Sequence, residues 1–134
     1  MSLIWLGMMT YLSHQSGAAT AQESYRWARL VQTVFKTADV KTIDQMLRHL
    51  AHVFLFMIYT VLMCGAGSCI KQLTKYKKTG YAFAAFPFFW SWFDEFTKPM
   101  VPGRHNDIKD VLLNLLGCAI GVVLAVVISK RMKN

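Results

Sequence analysis

Two long runs of the chain, residues 50–70 and 111–128, contain no aspartate, glutamate, lysine or arginine. Each run is close to the length of about 20 apolar residues that a transmembrane helix needs. Hydrophobic residues make up 54% of the 134 residues, and a soluble domain of this size has too small a core to hide them. The runs therefore predict an integral membrane protein, folded as one domain over residues 1–134. Gly117 and Gly121 in the second run have the GxxxG spacing that permits close helix packing.

Two further apolar segments complete the predicted spans. Residues 81–96 are rich in aromatic side chains, and Trp90 and Trp92 near their end are typical of an aromatic belt at a membrane surface. Residues 2–13 are short for a spanning helix, and they lack the basic start of a secretory signal. We expect here an uncleaved first helix that is short, tilted or preceded by further residues. The predicted spans cover approximately residues 2–13, 48–70, 81–96 and 110–129.

Between the first two spans lies a segment whose apolar residues fall on one helical face. Residues 22–36 place Trp27 and Leu30 on that face and most of their basic residues on the other. The pattern fits an amphipathic helix lying in the membrane interface. It fits equally an ordinary helix packed over the mouth of the bundle. The next helix is expected to start with a capping box at residues 42–45.

Four spans divide the remaining segments between two sides of the membrane. The N-terminus, a short basic loop at residues 71–80 and the C-terminal tail share one side, which holds seven lysine or arginine residues and no acid. Basic residues in short loops mark the cytoplasmic side, so we expect both termini in the cytoplasm. Residues 13–48 and 94–110 then share the outer face. The predicted fold class is an all-α membrane protein with four transmembrane helices plus an interfacial amphipathic helix, both termini cytoplasmic.

Charge and cysteine usage exclude several classes of function. The net charge of +8 comes from residues that flank the apolar runs, so we expect no nucleic-acid partner. Cys64, Cys69 and Cys118 lie inside apolar runs, and we expect them to be buried and free. His49 and His52 are three apart, but no cysteine or carboxylate stands beside them. We therefore predict no metal and no cofactor.

Ionisable residues collect at the outer ends of the predicted spans. Residues 94–114 hold four of the chain's seven acids, and such groups at a bilayer edge cost free energy unless they pair or face water. Arg48 and His52 are four apart and share a helix face. His52 has either a functional role or the structural one of bonding a neighbour at a helix end. Lys98 is placed to pair with Asp94, four residues before it.

These groups are expected to converge in one external cleft. Either acid of the adjacent pair 94–95 is expected to meet Arg48 or His52, and Arg104 is expected to lie near that pair or near Asp110. The candidate ligand-binding residues of this polar cluster are Gln15, Arg48, His52, Asp94, Glu95, Arg104, Asp110 and Asn114.

Three blocks of the chain resemble the VanZ-like membrane proteins of bacteria. Residues 13–17 (SHQSG) resemble the family's SSQPG element, and residues 48–52 (RHLAH) resemble its RKxAH element. Residues 94–121 resemble its DExxQxFVPGR…DxxxNxxGxxxG element, with Lys98 and Met100 in place of the Gln and the Phe. The likeness covers almost the whole chain, and its last block is the specific one.

The resemblance implies a multi-pass protein of the bacterial cell membrane. The name-giving member of the family is associated with resistance to the glycopeptide teicoplanin. The implied partners are membrane lipids, with a cell-wall precursor or a glycopeptide as further candidates, and the oligomeric state is left open.

Two functions are compatible with these residues. The first is binding of an envelope or lipid headgroup ligand without catalysis, in which Arg104 is the expected partner of a carboxylate or phosphate. The second is a membrane-embedded hydrolase or transferase acting on a lipid-linked or cell-wall substrate, with His52 and the acids as general acid and base. The sequence has no GxSxG motif, and this favours binding over catalysis.

Overall fold

The computed structural model describes residues 1–34, 39–74 and 77–132. Over these residues the chain is helical and forms no β-strand, so the predicted all-α class is confirmed. The elements in order are α1 (Ser2–Ser13), α2 (Gly17–Val34), α3 (Val40–Thr74), α4 (Lys77–Thr97), a 3-10 helix (Lys98–Met100) and α5 (Ile108–Arg131).

Helix α3 is the centre of the bundle. It contacts α1, α2, α4 and α5, and its contact with α5 is the most extensive. The 35 residues of α3 rise by about 50 Å, enough to cross a bilayer and project beyond it. The buried apolar core is formed at its middle, from Phe56, Tyr59, Met63, Met9 of α1 and Cys118 of α5.

Glycines allow α5 to approach α3 closely. A Cβ atom added to Gly117 would lie 2.3 Å from the carbonyl oxygen of Val53, and one added to Gly121 would lie 2.6 Å from that of Met57. Both distances are far below van der Waals contact, so the backbone of α3 occupies the space of the missing side chains. The GxxxG spacing therefore serves a contact between two helices of the same chain.

Helices α3 and α5 both begin at residues earlier than those predicted from the sequence. α3 starts at Val40, so Thr42 lies in its first turn rather than ahead of the helix, and the capping-box prediction is wrong. α5 is capped by Asp107, whose side chain accepts a hydrogen bond of 2.9 Å from the Lys109 backbone nitrogen. Asp110 lies in the first turn of α5, where the helix dipole favours an acid.

The predicted basic loop at residues 71–80 is much shorter in the structure, so its predicted extent is wrong. α3 continues to Thr74 and α4 already begins at Lys77, with residues 75–76 outside the described part of the chain. Lysine, glutamine and leucine are good helix formers, and the first glycine of this stretch is Gly80. Local helix propensity therefore extends both helices beyond the apolar residues that predict the spans.

The amphipathic segment forms α2, which begins earlier than the predicted residues 22–36. It runs over Gly17–Val34, and residues 35–38 lie outside the described part of the chain. Ala28 is fully buried, whereas Tyr25 and Leu30 are exposed. α2 packs against α3, so one face of this helix is covered by the bundle.

Two of the described helices are long and apolar enough to cross a membrane. They are Val40–Lys71 within α3 and Ile108–Arg131. The other two predicted spans correspond to α1, a shorter apolar helix of 12 residues, and to α4, which contains Pro87.

All three cysteines are free, as expected, but their burial differs. Cys118 is buried against α3 and Cys64 is partly buried. Cys69 is exposed, so its predicted burial is wrong. It lies in the last two turns of α3.

Candidate ligand-binding site

A cavity of about 750 Å³ lies at the end of the bundle where α1 and α4 end and α3 and α5 begin. This volume is within the range of about 300–1,000 Å³ that is usual for small-molecule sites. Its polar wall includes Ser13, Gln15, Arg48, His52, Asp94, Lys98, Arg104 and Asp110. Its apolar wall includes Met9, Leu12, Trp27, Val31, Leu47, Leu55 and Phe56.

Lys98 is the cation of a buried charge cluster, which we define as His52, Glu95, Lys98 and Asp110. Its Nζ pairs with Glu95 Oε1 and lies 3.5 Å from Asp110 Oδ2. The Lys98 and Glu95 side chains are only 3% and 2% exposed, so water contributes little to their stabilisation. The predicted pairing of Lys98 with Asp94 is wrong. Lys98 belongs to a 3-10 turn after α4, in which residues three apart align.

His52 joins this cluster to α5. Its Nε2 lies 3.3 Å from Asp110 Oδ2, and its Nδ1 lies 2.9 Å from Asn114 Oδ1. Asp110 and Asn114 are four residues apart and present oxygens on one face of α5. An imidazolium can donate to both oxygens at once. His52 therefore links the cluster to two side-chain oxygens of α5.

Asp94 has a different partner from the adjacent Glu95. Its Oδ2 accepts a hydrogen bond of 2.8 Å from the Ser13 hydroxyl at the end of α1. Adjacent residues on a helix point about 100° apart, which is why one acid faces the cluster and the other faces α1. Asp94 is 5% exposed, and neither acid contacts Arg48.

Arg104 is held by two neutral oxygens. Its Nε donates to the Gln15 carbonyl at 3.1 Å, and its Nη2 donates to the Thr20 hydroxyl at 2.7 Å. Burial lowers the pKa of Arg104, and the charge of Arg48 lowers it further, whereas the charges of Glu95, Asp110 and Asp94 raise it. An arginine side chain stays charged under these influences. Arg104 is therefore near the acids, as predicted, but makes no ion pair within the described residues.

The turn before α5 is fixed against the start of α2. The Gly17 nitrogen donates to the Pro102 carbonyl at 3.3 Å, and a Cβ atom on Gly17 would lie 2.2 Å from the Gly103 oxygen. Gly103 has a φ of 74°, which favours glycine. This contact places Arg104 at the first turn of α2.

Arg48 connects α3 to α2 rather than to the acids of α4. Its Nε lies 3.2 Å from Asp44 Oδ2 and donates to the Ser24 hydroxyl at 3.1 Å, and Ser24 also donates to Asp44. Residues 94–95 are expected from the sequence to meet Arg48 or His52, and the structure brings Glu95 close to His52 and not to Arg48. Asp44 lies one helical turn before Arg48 and supplies a closer carboxylate.

Several residues of the site are absent from the predicted set. Ser13, Thr20 and Ser24 position the charged groups of the cavity, and Lys98 balances two acids. Ser13 could have been found, since it lies in the SHQSG block. Nothing in the sequence distinguishes Thr20 and Ser24 from surface residues.

Three potential metal ligands lie together in the buried charge cluster. One ligand atom from each of His52, Glu95 and Asp110 lies within 4.8 Å of the other two. His49, which the sequence places beside His52, is not among them. The ammonium group of Lys98 contacts both acids of the trio, so part of their negative charge is already compensated by a cation of the protein itself.

The fold and the site define a class of protein. It is a helical bundle with a charged cavity at one end and two helices that are long and apolar enough to cross a membrane. A family model described as VanZ/LLP1 matches residues 1–129, and the chain belongs to this family. The match confirms the resemblance that the three sequence blocks carry. No curated protein and no solved structure matches the chain.

Proposed function

We propose that this protein is a multi-pass protein of the bacterial cell membrane whose cavity binds an envelope or lipid headgroup ligand without catalysing a reaction. The observation that carries the proposal is the chemistry of the two cavity walls. The lining combines the charged Arg104 and Asp94, part of what we call the polar wall, with the apolar Leu12, Leu55 and Phe56, part of what we call the apolar wall. A ligand that satisfies both walls has a charged headgroup joined to hydrocarbon.

The outer surface of the bundle supports a membrane location. Phe54, Leu116 and Val123 are each more than half exposed, on α3 and α5. The chain exposes 9503 Å², whereas a compact soluble protein of 15.3 kDa exposes about 7,100 Å². A bilayer would cover this additional apolar surface at no cost in hydration.

The proposed topology has four spans with both termini in the cytoplasm. The spans are α1, α3, α4 and α5, and α1, about 18 Å long, is shorter than the hydrocarbon core of about 30 Å. α1 is held by the Trp5 indole, which donates to the Leu55 carbonyl at 3.1 Å. Lys71 and Lys78 lie at the opposite end of the bundle from the cavity, together with Lys130 and Arg131 at the end of α5. Their positive charge favours the cytoplasmic side.

Helix α2 combines the two roles left open by its sequence. Trp27 and Val31 line the cavity, which agrees with a helix packed over its mouth. Tyr25 and Leu30 are exposed, which agrees with contact to a lipid surface. We place α2 in the outer interface as the cover of the cavity.

The proposal is tested by filling the cavity. Ala51 lines it, whereas Ala85 is an exposed residue of α4 that does not. Native mass spectrometry of protein extracted from bacterial membranes should show one retained lipid. The Ala51→Trp variant should lose that lipid, and the matched Ala85→Trp variant should keep it. Equal retention by both variants, or no retained lipid at all, would exclude the cavity as the binding site.

The proposed cellular outcome is lowered sensitivity to glycopeptides such as teicoplanin, and family membership supports it. Expression in a sensitive strain should raise the inhibitory concentration of teicoplanin. Ala51→Trp should abolish the increase if it depends on the cavity. An unchanged inhibitory concentration for the unmodified protein would reject this outcome while leaving ligand binding intact.

A second candidate function is hydrolysis or group transfer on a lipid-linked substrate, favoured by the contact between His52 and Asp110 at the cavity. Both ring nitrogens of His52, however, face oxygens of α5, which leaves neither directed at a substrate. Protein in nanodiscs should therefore leave lipid-linked cell-wall precursors unchanged by mass spectrometry. A product that disappears in Glu95→Gln would favour the enzyme.

A further inference from the structure

Two opposite charges of the cavity lack a counter-ion. Asp94 is bound by the neutral hydroxyl of Ser13, and Arg104 is bound by the carbonyl of Gln15 and the hydroxyl of Thr20. Neither takes part in an ion pair within the described residues. This arrangement differs from the rest of the site, where Glu95 is paired with Lys98 and Arg48 with Asp44.

A charge in a partly dehydrated site is expensive when no opposite charge is in direct contact with it. Asp94 is 5% exposed and Arg104 is partly buried, so water compensates neither charge fully. Both line the cavity, where a ligand can reach them. A ligand that carries one positive and one negative group would supply the missing partner to each.

The chain keeps these two charges a short distance apart without letting them pair. Ser13 bonds Asp94 and the Gln15 carbonyl bonds Arg104, and the Cα atoms of Ser13 and Gln15 are at most about 7 Å apart. The charge of Asp94 also raises the pKa of Arg104. The cavity as a whole favours neither sign. Its lining holds four acids (Glu23, Asp94, Asp107, Asp110) and three permanent cations (Arg48, Lys98, Arg104).

We propose that the cavity recognises a zwitterionic phospholipid headgroup, with the phosphate at Arg104 and a primary ammonium at Asp94. This inference rests on the proposed ligand-binding function and names its ligand class. The guanidinium of Arg104 can bind two phosphate oxygens side by side. The Asp94 carboxylate accepts a hydrogen bond from an ammonium, which a trimethylated amine cannot donate. The acyl chains lie along the apolar wall of Leu12, Leu55 and Phe56.

The test compares three lipids bound to detergent-solubilised full-length protein, measured by native mass spectrometry. Phosphatidylethanolamine carries both groups, phosphatidylglycerol lacks the amine, and phosphatidylcholine has no ammonium hydrogen. Phosphatidylethanolamine should bind about tenfold more tightly than either, the ratio expected for one charge-assisted hydrogen bond. Equal or tighter binding of phosphatidylglycerol would overturn the inference and leave the proposed function standing. Failure of all three lipids to bind would contradict the proposed function itself.

Substitutions of Asp94 and Arg104 test which residue binds the ammonium and which binds the phosphate. Asp94→Asn should remove the preference for phosphatidylethanolamine over phosphatidylglycerol, whereas Asp39→Asn, at an exposed acid outside the cavity, should keep the preference. Arg104→Gln should weaken both lipids by the same factor, which is informative even if Asp94→Asn does not fold. Retention of the preference in Asp94→Asn would overturn the assignment.

Soluble competitors distinguish a lipid from a free headgroup. Phosphoethanolamine should compete only at much higher concentration than the lipid, because it lacks the hydrocarbon that meets the apolar wall. Competition by inorganic phosphate at the same concentration as phosphoethanolamine would show an anion site alone and overturn the inference.

Discussion

At the residue scale, one buried lysine holds two acids. Lys98 lies between Glu95 and Asp110, and all three come from the last turn of α4 or the first turns that follow it. The pairs join α4 to α5 across the mouth of the bundle. Buried ion pairs contribute little net stability, but removing one member leaves an uncompensated charge.

The Lys98→Met variant should therefore be strongly destabilised. It leaves two carboxylates without their shared cation, and the expected loss is about 3–5 kcal/mol of unfolding free energy. Unfolding in mixed detergent micelles measures this value. Lys109→Met is the matched control, because the Lys109 side chain is exposed and outside the cluster. Adding Glu95→Gln to Lys98→Met should recover part of the loss, and equal stability of the two lysine variants would reject the role of Lys98.

At the scale of the helices, the site is positioned by close backbone contacts that only glycine permits. α5 approaches α3 at Gly117 and Gly121, and this approach brings Asn114, one turn earlier, to the ring of His52. α2 meets the turn before α5 at Gly17, and this contact brings Thr20 to Arg104. These two polar contacts of the cavity thus depend on a close backbone approach nearby.

Gly117→Leu should lower stability in detergent much more than Val123→Leu. The first substitution forces a side chain against the Val53 carbonyl. Val123 lies on the same helix but is 62% exposed, so a larger side chain there meets no backbone. Overpacking costs about 1–3 kcal/mol, and a backbone clash places this site at the upper end. Thermal unfolding in detergent measures the difference. Similar midpoints for the two variants would mean that the glycine spacing is incidental.

Gly17→Ala should loosen α2 without affecting the rest of the bundle. The added methyl group would collide with the Gly103 carbonyl, so the first turn of α2 must move away from Arg104. Limited trypsin digestion should then cut faster at Arg26 and Arg29, both exposed on α2. Gly7→Ala is the control, because no atom lies within 4 Å of a Cβ at that position. Unchanged digestion of Gly17→Ala would show that α2 does not depend on this contact.

For the whole molecule, the proposed topology predicts which residues face the cell exterior. In a background without the three native cysteines, a cysteine at Thr79 should be shielded from an impermeant thiol reagent in intact cells. A cysteine at Asn106, beside the cavity, should be labelled. The reverse pattern would invert the topology and place the cavity in the cytoplasm.

The sequence alone determines the helical class, the family and which end of each helix carries charge. These properties depend on local composition, on apolar runs of spanning length and on motif spacing, so they can be derived before any contact is known. The convergence of Asp94, Arg104, His52 and Asp110 at one end of the bundle also follows from alternating helix directions.

Only the tertiary structure decided which charges pair. Arg48 takes Asp44, Lys98 takes Glu95 and Asp110, and His52 takes Asp110 and Asn114. The sequence shows complementary charges but not the rotation of each helix about its axis, and a rotation of 100° exchanges one neighbour for the next. The 3-10 turn at Lys98 and the close approaches at Gly17 and Gly117 set those rotations. Arg104 has neutral partners because the close backbone approach of Gly17 to Gly103, rather than charge, fixes its position, and the rotation of α4 directs Asp94 to Ser13 instead of Lys98.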